Sequence, residues 1–225
     1  MRSIFVFAFL MLGMVGAFAS DRHAKISIEG TDFKYPLPND WCDVTETENG
    51  IYLLAYLQTV IDESEVDLNV RLILRPCSTN NSGYPWSYVG LSKGGVYGSN
   101  QFVFNQMTKA TLKLGLLDDT LDKAQKAQSE VAKEYFEKEV KHKVSFSSSK
   151  MNTISSDEYS LTFSNKTTSF VNDSEVNELA ITSLTVAKNQ IIGTYLYNDS
   201  HSESANEEHI QMILDNAKKI ATLNR

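Results

Sequence analysis

The chain has 225 residues, of which 42% are hydrophobic, and it carries 28 acidic against 21 basic side chains for a formal net charge of −7. That is enough apolar material for a core that folds unaided, and the acidic balance argues against nucleic acid or an anionic lipid surface as the main partner. Only two cysteines occur, so a multi-disulfide scaffold is excluded as well.

Arg2, the apolar run Ile4 to Phe18 and the small-x-small triplet Ala17-Phe18-Ala19 read as a signal peptide over residues 1–19, cut after Ala19. The run falls short of the ~20 residues that a spanning helix needs. The expectation is a secreted or periplasmic protein with no stable membrane anchor after cleavage, residues 20–225 forming a single α+β domain.

Lys25 to Tyr35 alternates around Gly30-Thr31 and is closed by Pro36 and Pro38, which suits a small hairpin. Trp41 follows as a buried anchor. Next to it, Cys42 is expected to form a disulfide with Cys77, buried beside Trp41 and contributing ~3–4 kcal/mol through the loop it closes. Redox chemistry would want a close C-x-x-C pair, and a metal site more Cys or His nearby.

Glu46 to Gly50 reads as a polar turn, and Ile51 to Val60 as a short strand on its Tyr and Leu content. From Val66 to Arg75 the alternation is clean. Val66, Leu68, Val70, Leu72 and Leu74 are expected on one core face, with a mostly charged face toward water.

Ser78 to Asn100 loses periodicity and gathers five glycines with Tyr84, Trp86, Tyr88 and Tyr97. A long aperiodic stretch of this kind reads as a loop, and such loops often carry function. The segment Gly90 to Gly95 lacks the spacing and the Lys-Ser/Thr ending of a phosphate loop. Residues 101–115 fit strand and helix equally. Asp118 to Lys141 is predicted as a long helix, with acidic residues at its head and lysines at its end.

Val144 to Phe170 alternates loosely, firmest over Tyr159, Leu161 and Phe163. Leu179 to Ala187 and Ile191 to Tyr197 form a hairpin around Lys188-Asn189-Gln190. A closing helix follows, with Ser204 and Glu207 at capping-box spacing and Ile210, Ile213, Leu214, Ala217 and Ile220 on one stripe.

Taken together, the Phe33-x-Tyr35-Pro36 strand, the Asp40-Trp41 turn, Val66-x-Leu68-Asn69-Val70 and the terminal two strands with an Ile-rich helix resemble the PsbP-like superfamily, in its bacterial envelope, DcrB-like branch. The resemblance implies an antiparallel sheet flanked by helices, an α-β-α sandwich. It also implies a non-catalytic binding or accessory role, as in photosystem extrinsic proteins and a nuclear import factor that binds the GTPase Ran, and it carries over no functional residue.

His23, His142, His201 and His209 stand apart, with neither a G-x-S-x-G elbow nor an H-E-x-x-H helix. The cluster His201, Glu203, Glu207, Glu208 and His209 is accounted for by helix capping. No catalytic residue, metal or cofactor is therefore assigned. The alternative class is a secreted hydrolase whose site shows no motif. The binding expectation falls on Tyr84, Trp86, Tyr88 and Tyr97 as an exposed aromatic platform for a protein partner. Asn80, Asn165, Asn172 and Asn198 begin N-x-S/T triplets, which matter only in a eukaryotic secretory pathway.

Overall fold

A computed structural model describes residues 22–63, 66–78, 85–94, 101–113, 130, 144–148, 152–171, 174–200 and 203–224. The predicted signal peptide, Tyr84, Tyr97 and, apart from helical Glu130, the predicted 118–141 helix lie outside the described residues.

The chain opens on a hairpin of β1 (His23–Ile28) and β2 (Thr31–Pro36). Its two turn residues, Glu29 and Gly30, both have positive φ (49° and 79°), the twist that joins antiparallel strands most tightly. The main sheet is wholly antiparallel. Its order is β3 (Trp41–Asp43), β4 (Leu68–Pro76), β5 (Trp86–Ser92), β10 (Gln190–Asp199), β9 (Ser174–Ala187), β8 (Leu161–Val171) and β6 (Val144–Ser148), with β7 (Asn152–Ser156) also on β8. The predicted terminal hairpin is present, and its register is set by Lys188 and Asn189 at φ 46° and 62°, pairing Ala187 with Gln190.

Helix α1 (Glu48–Glu63) covers one face and helix α3 (Glu203–Leu223), with the β1–β2 hairpin, covers the other. The fold is therefore α+β, an antiparallel sheet flanked by helices. Ile213, Ala217 and Ile220 carry the predicted stripe of α3 into the core with Phe33, Leu74, Ile181 and Leu196. Tyr35 is fully buried there, its hydroxyl accepting from Asn216 Nδ2 at 2.8 Å and lying 3.2 Å from Thr194 Oγ1. Asn224 then ties the end of α3 to β2: its Oδ1 accepts from the Lys34 amide and its Nδ2 donates to the Lys34 carbonyl, both at 2.8 Å. No helix among the described residues is long and apolar enough to cross a membrane.

Four expectations are corrected, the first two being the strand read over residues 51–60 and the turn read before it. Residues 51–60 belong to α1. Thr47 caps it, Oγ1 accepting from the Gly50 amide at 3.1 Å, so the polar stretch read as a turn is a helix start. Gly50 is required at that start because a Cβ there would stand 1.8 Å from the Val44 carbonyl oxygen. Residues 101–113, which fitted strand and helix equally in sequence, form α2, whose Gln101 accepts from the Val186 amide at 2.6 Å and donates to the Leu184 carbonyl at 3.3 Å, continuing the ladder past the point where β8 begins.

The third correction concerns β4, which shifts register between Val70 and Leu72. The irregularity at Arg71 reverses the parity of the strand. Leu68 and Val70 face α1, whereas Leu72 and Leu74 face α3, and Ile73 is fully buried as well. Gln58 of α1 serves the irregular edge, accepting from the Val70 amide at 3.0 Å and donating to the Leu68 carbonyl at 3.2 Å.

The fourth concerns the cysteines. The Cys42–Cys77 disulfide is formed, and Trp41 is buried, but Cys42 is half-buried and Cys77 exposed. Neighbours on a strand point to opposite faces, so placing the Trp41 ring in the core turns Cys42 away from it.

Candidate functional site

Trp86 and Tyr88 do not stand on a loop. They lie on β5, whose sequence Trp-Ser-Tyr-Val-Gly-Leu-Ser is covered on both faces and so shows no polar alternation. Alternate positions on this strand point toward α1, and the register sets Tyr88 opposite Tyr195 and Trp86 opposite Tyr197. Both cross-strand pairs stack at 4.4 Å between ring centroids, with planes 11° and 9° apart. The two pairs also stack on each other, at 6.2 Å for Trp86–Tyr88 and 6.1 Å for Tyr88–Tyr197. The result is a quartet of rings on the sheet, bordered by Tyr56 of α1.

The expectation of exposed rings is corrected for Tyr88, which is only 6% exposed because Tyr195 covers it. Trp86 is half-buried. Tyr84 and Tyr97, the other two members of the expected platform, lie outside the described residues.

Burial shapes the electrostatics of the quartet. It raises the Tyr88 phenol well above its ordinary range, raises Tyr195 to about 12, and raises Tyr197 further, with the Glu178 charge adding to the effect. Glu178 itself, part-buried on β9, has its carboxyl pushed up to about 7 by desolvation. These phenols stay protonated at physiological pH and can offer only hydrogen bonds and ring faces.

Elsewhere, His209 packs edge-on against Trp41 at 6.1 Å, with its Nδ1 buried and unpartnered. Burial lowers its pKa, opposed by the Glu208 charge. The imidazole is thus a packing group. His142 and His201 lie outside the described residues, and no cluster of three or more His, Cys, Asp or Glu among the described residues is placed to hold a metal ion. Asn198, one of the four N-x-S/T asparagines, is 5% exposed and donates to Asn206 Oδ1 at 2.6 Å, so the folded chain does not offer it for modification.

Tyr56, Glu178, Tyr195 and Tyr197 were not singled out by the sequence. The available signal was Tyr195-x-Tyr197, two aromatics at strand spacing on the predicted hairpin.

No family model matches the chain, and no curated protein matches it. Among solved structures, the chain is similar to the Ran-binding protein Mog1p of Saccharomyces cerevisiae at 9% identity and a TM-score of 0.32, over 91% of this chain and 95% of that one. It is similar to a cyanobacterial PsbP (CyanoP) of Synechocystis at 12% identity and a TM-score of 0.34, over 94% and 96%. A Mog1 variant gives 8% identity and a TM-score of 0.34, over 90% and 94%. Values this low carry nothing about function or site.

Proposed function

We propose that the chain is an exported, non-catalytic binding or accessory protein on the PsbP-like plan, of the envelope (DcrB-like) kind, and that it contacts a protein partner at the Trp86 end of the aromatic quartet. What supports export is the N-terminal sequence together with the Cys42–Cys77 disulfide, which persists in oxidising compartments. The observation that carries the binding reading is the Trp86–Tyr197 stack: a half-buried indole held flat against a tyrosine at 4.4 Å. An aromatic fixed before binding loses little rotamer freedom when a partner covers it, and Trp and Tyr dominate interface energetics. In this reading Tyr88 and Tyr195 are the base of the platform, while Trp86, with Tyr84 and Tyr97 from the flanking segments, makes the contact.

The test is a photo-crosslinking amino acid placed at position 86 and, as a control, at exposed Lys34, in the exporting host. A discrete protein adduct from position 86 that is absent from position 34 is the expected result. Identical adducts from both positions, or none from 86, would remove this surface from consideration.

A further inference from the structure

On the far side of the sheet from the quartet, a cleft of about 460 Å³ opens between the C-terminal half of α3 and the open end of the β1–β2 hairpin. Its size lies within the range of small-molecule sites. Three permanent cations line it, Arg22, Lys218 and Lys219, with His23 beside them, against the single carboxylate of Asp215. The chain as a whole has the opposite sign, at −7. Pro36, Leu37 and Leu223 supply an apolar part of the wall, with Asn39 and Thr222 beside them, and Leu223 is 45% exposed.

We propose that this cleft binds a small amphiphilic anion: one carboxylate or phosphate head on an apolar body. The cations divide the work. Arg22 is fixed at the cleft edge by donating to the Trp41 carbonyl at 2.9 Å, and Lys218 leans toward the Tyr159 ring, 5.5 Å from its centroid. Both keep their charge near the head group, while exposed Lys219 is positioned to pair with it directly. A ligand with its head among these cations places its body against Leu37 and Leu223, removing the exposed leucine from water. Asp215, held by Gln211 Nε2 at 3.0 Å, is the one opposing charge in the lining, so the three cations leave the cleft net positive.

The test titrates the purified protein calorimetrically with decanoate and with decyl phosphate, against inorganic phosphate and decyltrimethylammonium. Saturable binding of either or both amphiphilic anions is expected, and which of them binds identifies the head group. Inorganic phosphate and the cationic amphiphile should bind at least about tenfold more weakly. Lys219→Glu should weaken the anion by roughly tenfold and Leu223→Asp by at least as much, both substitutions lying at exposed positions that leave the melting temperature unchanged. The proposal is overturned if neither amphiphilic anion saturates, if inorganic phosphate or the cation binds equally well, or if both variants bind like the parent. Amide shifts at Thr222 and Leu223 in an NMR titration provide the second readout, and their absence during saturable binding would place the ligand elsewhere.

Discussion

Tyr195 lies directly opposite Tyr88 across the β5–β10 ladder, and their rings stack at 4.4 Å, so the two strands at the centre of the sheet are joined by side chains as well as by backbone. Cross-strand aromatic pairs are among the strongest contacts a sheet surface makes. Tyr88 is also buried under α1, in one cluster with Leu57 and Ile73, while Tyr195 is half-buried. Tyr88→Ala should therefore cost about 3–5 kcal/mol, as aromatic deletions from cores do. Tyr88→Phe, which keeps the ring and its stack and loses only the hydroxyl, should cost only about 1 kcal/mol. Urea unfolding separates the two variants, and equal midpoints would contradict the stacking account.

Gly193 makes that stack possible. It pairs with Gly90 on β5, and a Cβ at position 193 would stand 2.6 Å from the Tyr195 ring, which folds back over the glycine. A tyrosine with a free ring could swing aside, but this ring is pinned by Tyr88. Gly193→Ala should cost about 1–3 kcal/mol, as overpacking does. Combining it with Tyr88→Ala should cost less than the sum of the two, because the ring is then free to move. Strict additivity in the double-mutant cycle would show that Tyr195 is not the obstacle.

Much of the frame was legible in sequence because it is local. The terminal hairpin and the stripe of α3 show their periods directly, and Lys188-Asn189 marks the turn between the strands. What was not legible depends on pairing between distant segments. The alternation from Val66 to Leu74 is genuine, yet the register shift at Arg71 sends its two halves to opposite faces, and nothing in the residue types marks the shift. Ile51 to Val60 is apolar on too many sides for its period to separate helix from strand, and Thr47 was the overlooked cap. Trp86 and Tyr88 stood out by composition, but their burial comes from Tyr195 and Tyr197, which only the sheet order brings beside them.

Asn224 illustrates a clip at the end of the chain. It is 2% exposed, and its amide satisfies the amide and the carbonyl of Lys34 and the carbonyl of Ile220. Asn224→Ala would leave the part-buried Lys34 amide and carbonyl without this partner, at about 1–3 kcal/mol, and loosen the hairpin against α3. Hydrogen exchange at the Lys34 amide should accelerate in the variant more than exchange at Leu196. A uniform acceleration would instead mean that the clip has no local role.

The disulfide closes a separation of 35 positions around the edge of the sheet. By the chain-entropy estimate, opening it should remove about 3–4 kcal/mol. The Cys77 amide also donates to the Asp40 carbonyl at 2.7 Å, so the edge strand is held twice and reduction should destabilise it without unfolding the sheet. Denaturation with and without reductant measures the loss. An unchanged midpoint would refute a stabilising role.

Glu178 gives the molecule a pH dependence of definite sign. Desolvation raises its carboxyl pKa from 4.5 to about 7, so the folded state holds the proton more tightly than the unfolded state does. The associated stability is fully present below 4.5 and is lost as pH rises through about 7. Among the described residues its neighbours are Tyr197 on the adjoining strand and Asp199 and Thr167 opposite it in the register. Glu178→Gln removes the ionisation and should stabilise the protein at about pH 8 by at most about 3 kcal/mol, reduced by solvent screening, with little effect near about pH 4. His209 works in the opposite direction, its lowered pKa withdrawing stability as pH falls, but it is common to both proteins and cancels in their difference. A difference between parent and variant that stays flat with pH, or grows toward acid, would show that Glu178 is not held neutral by burial.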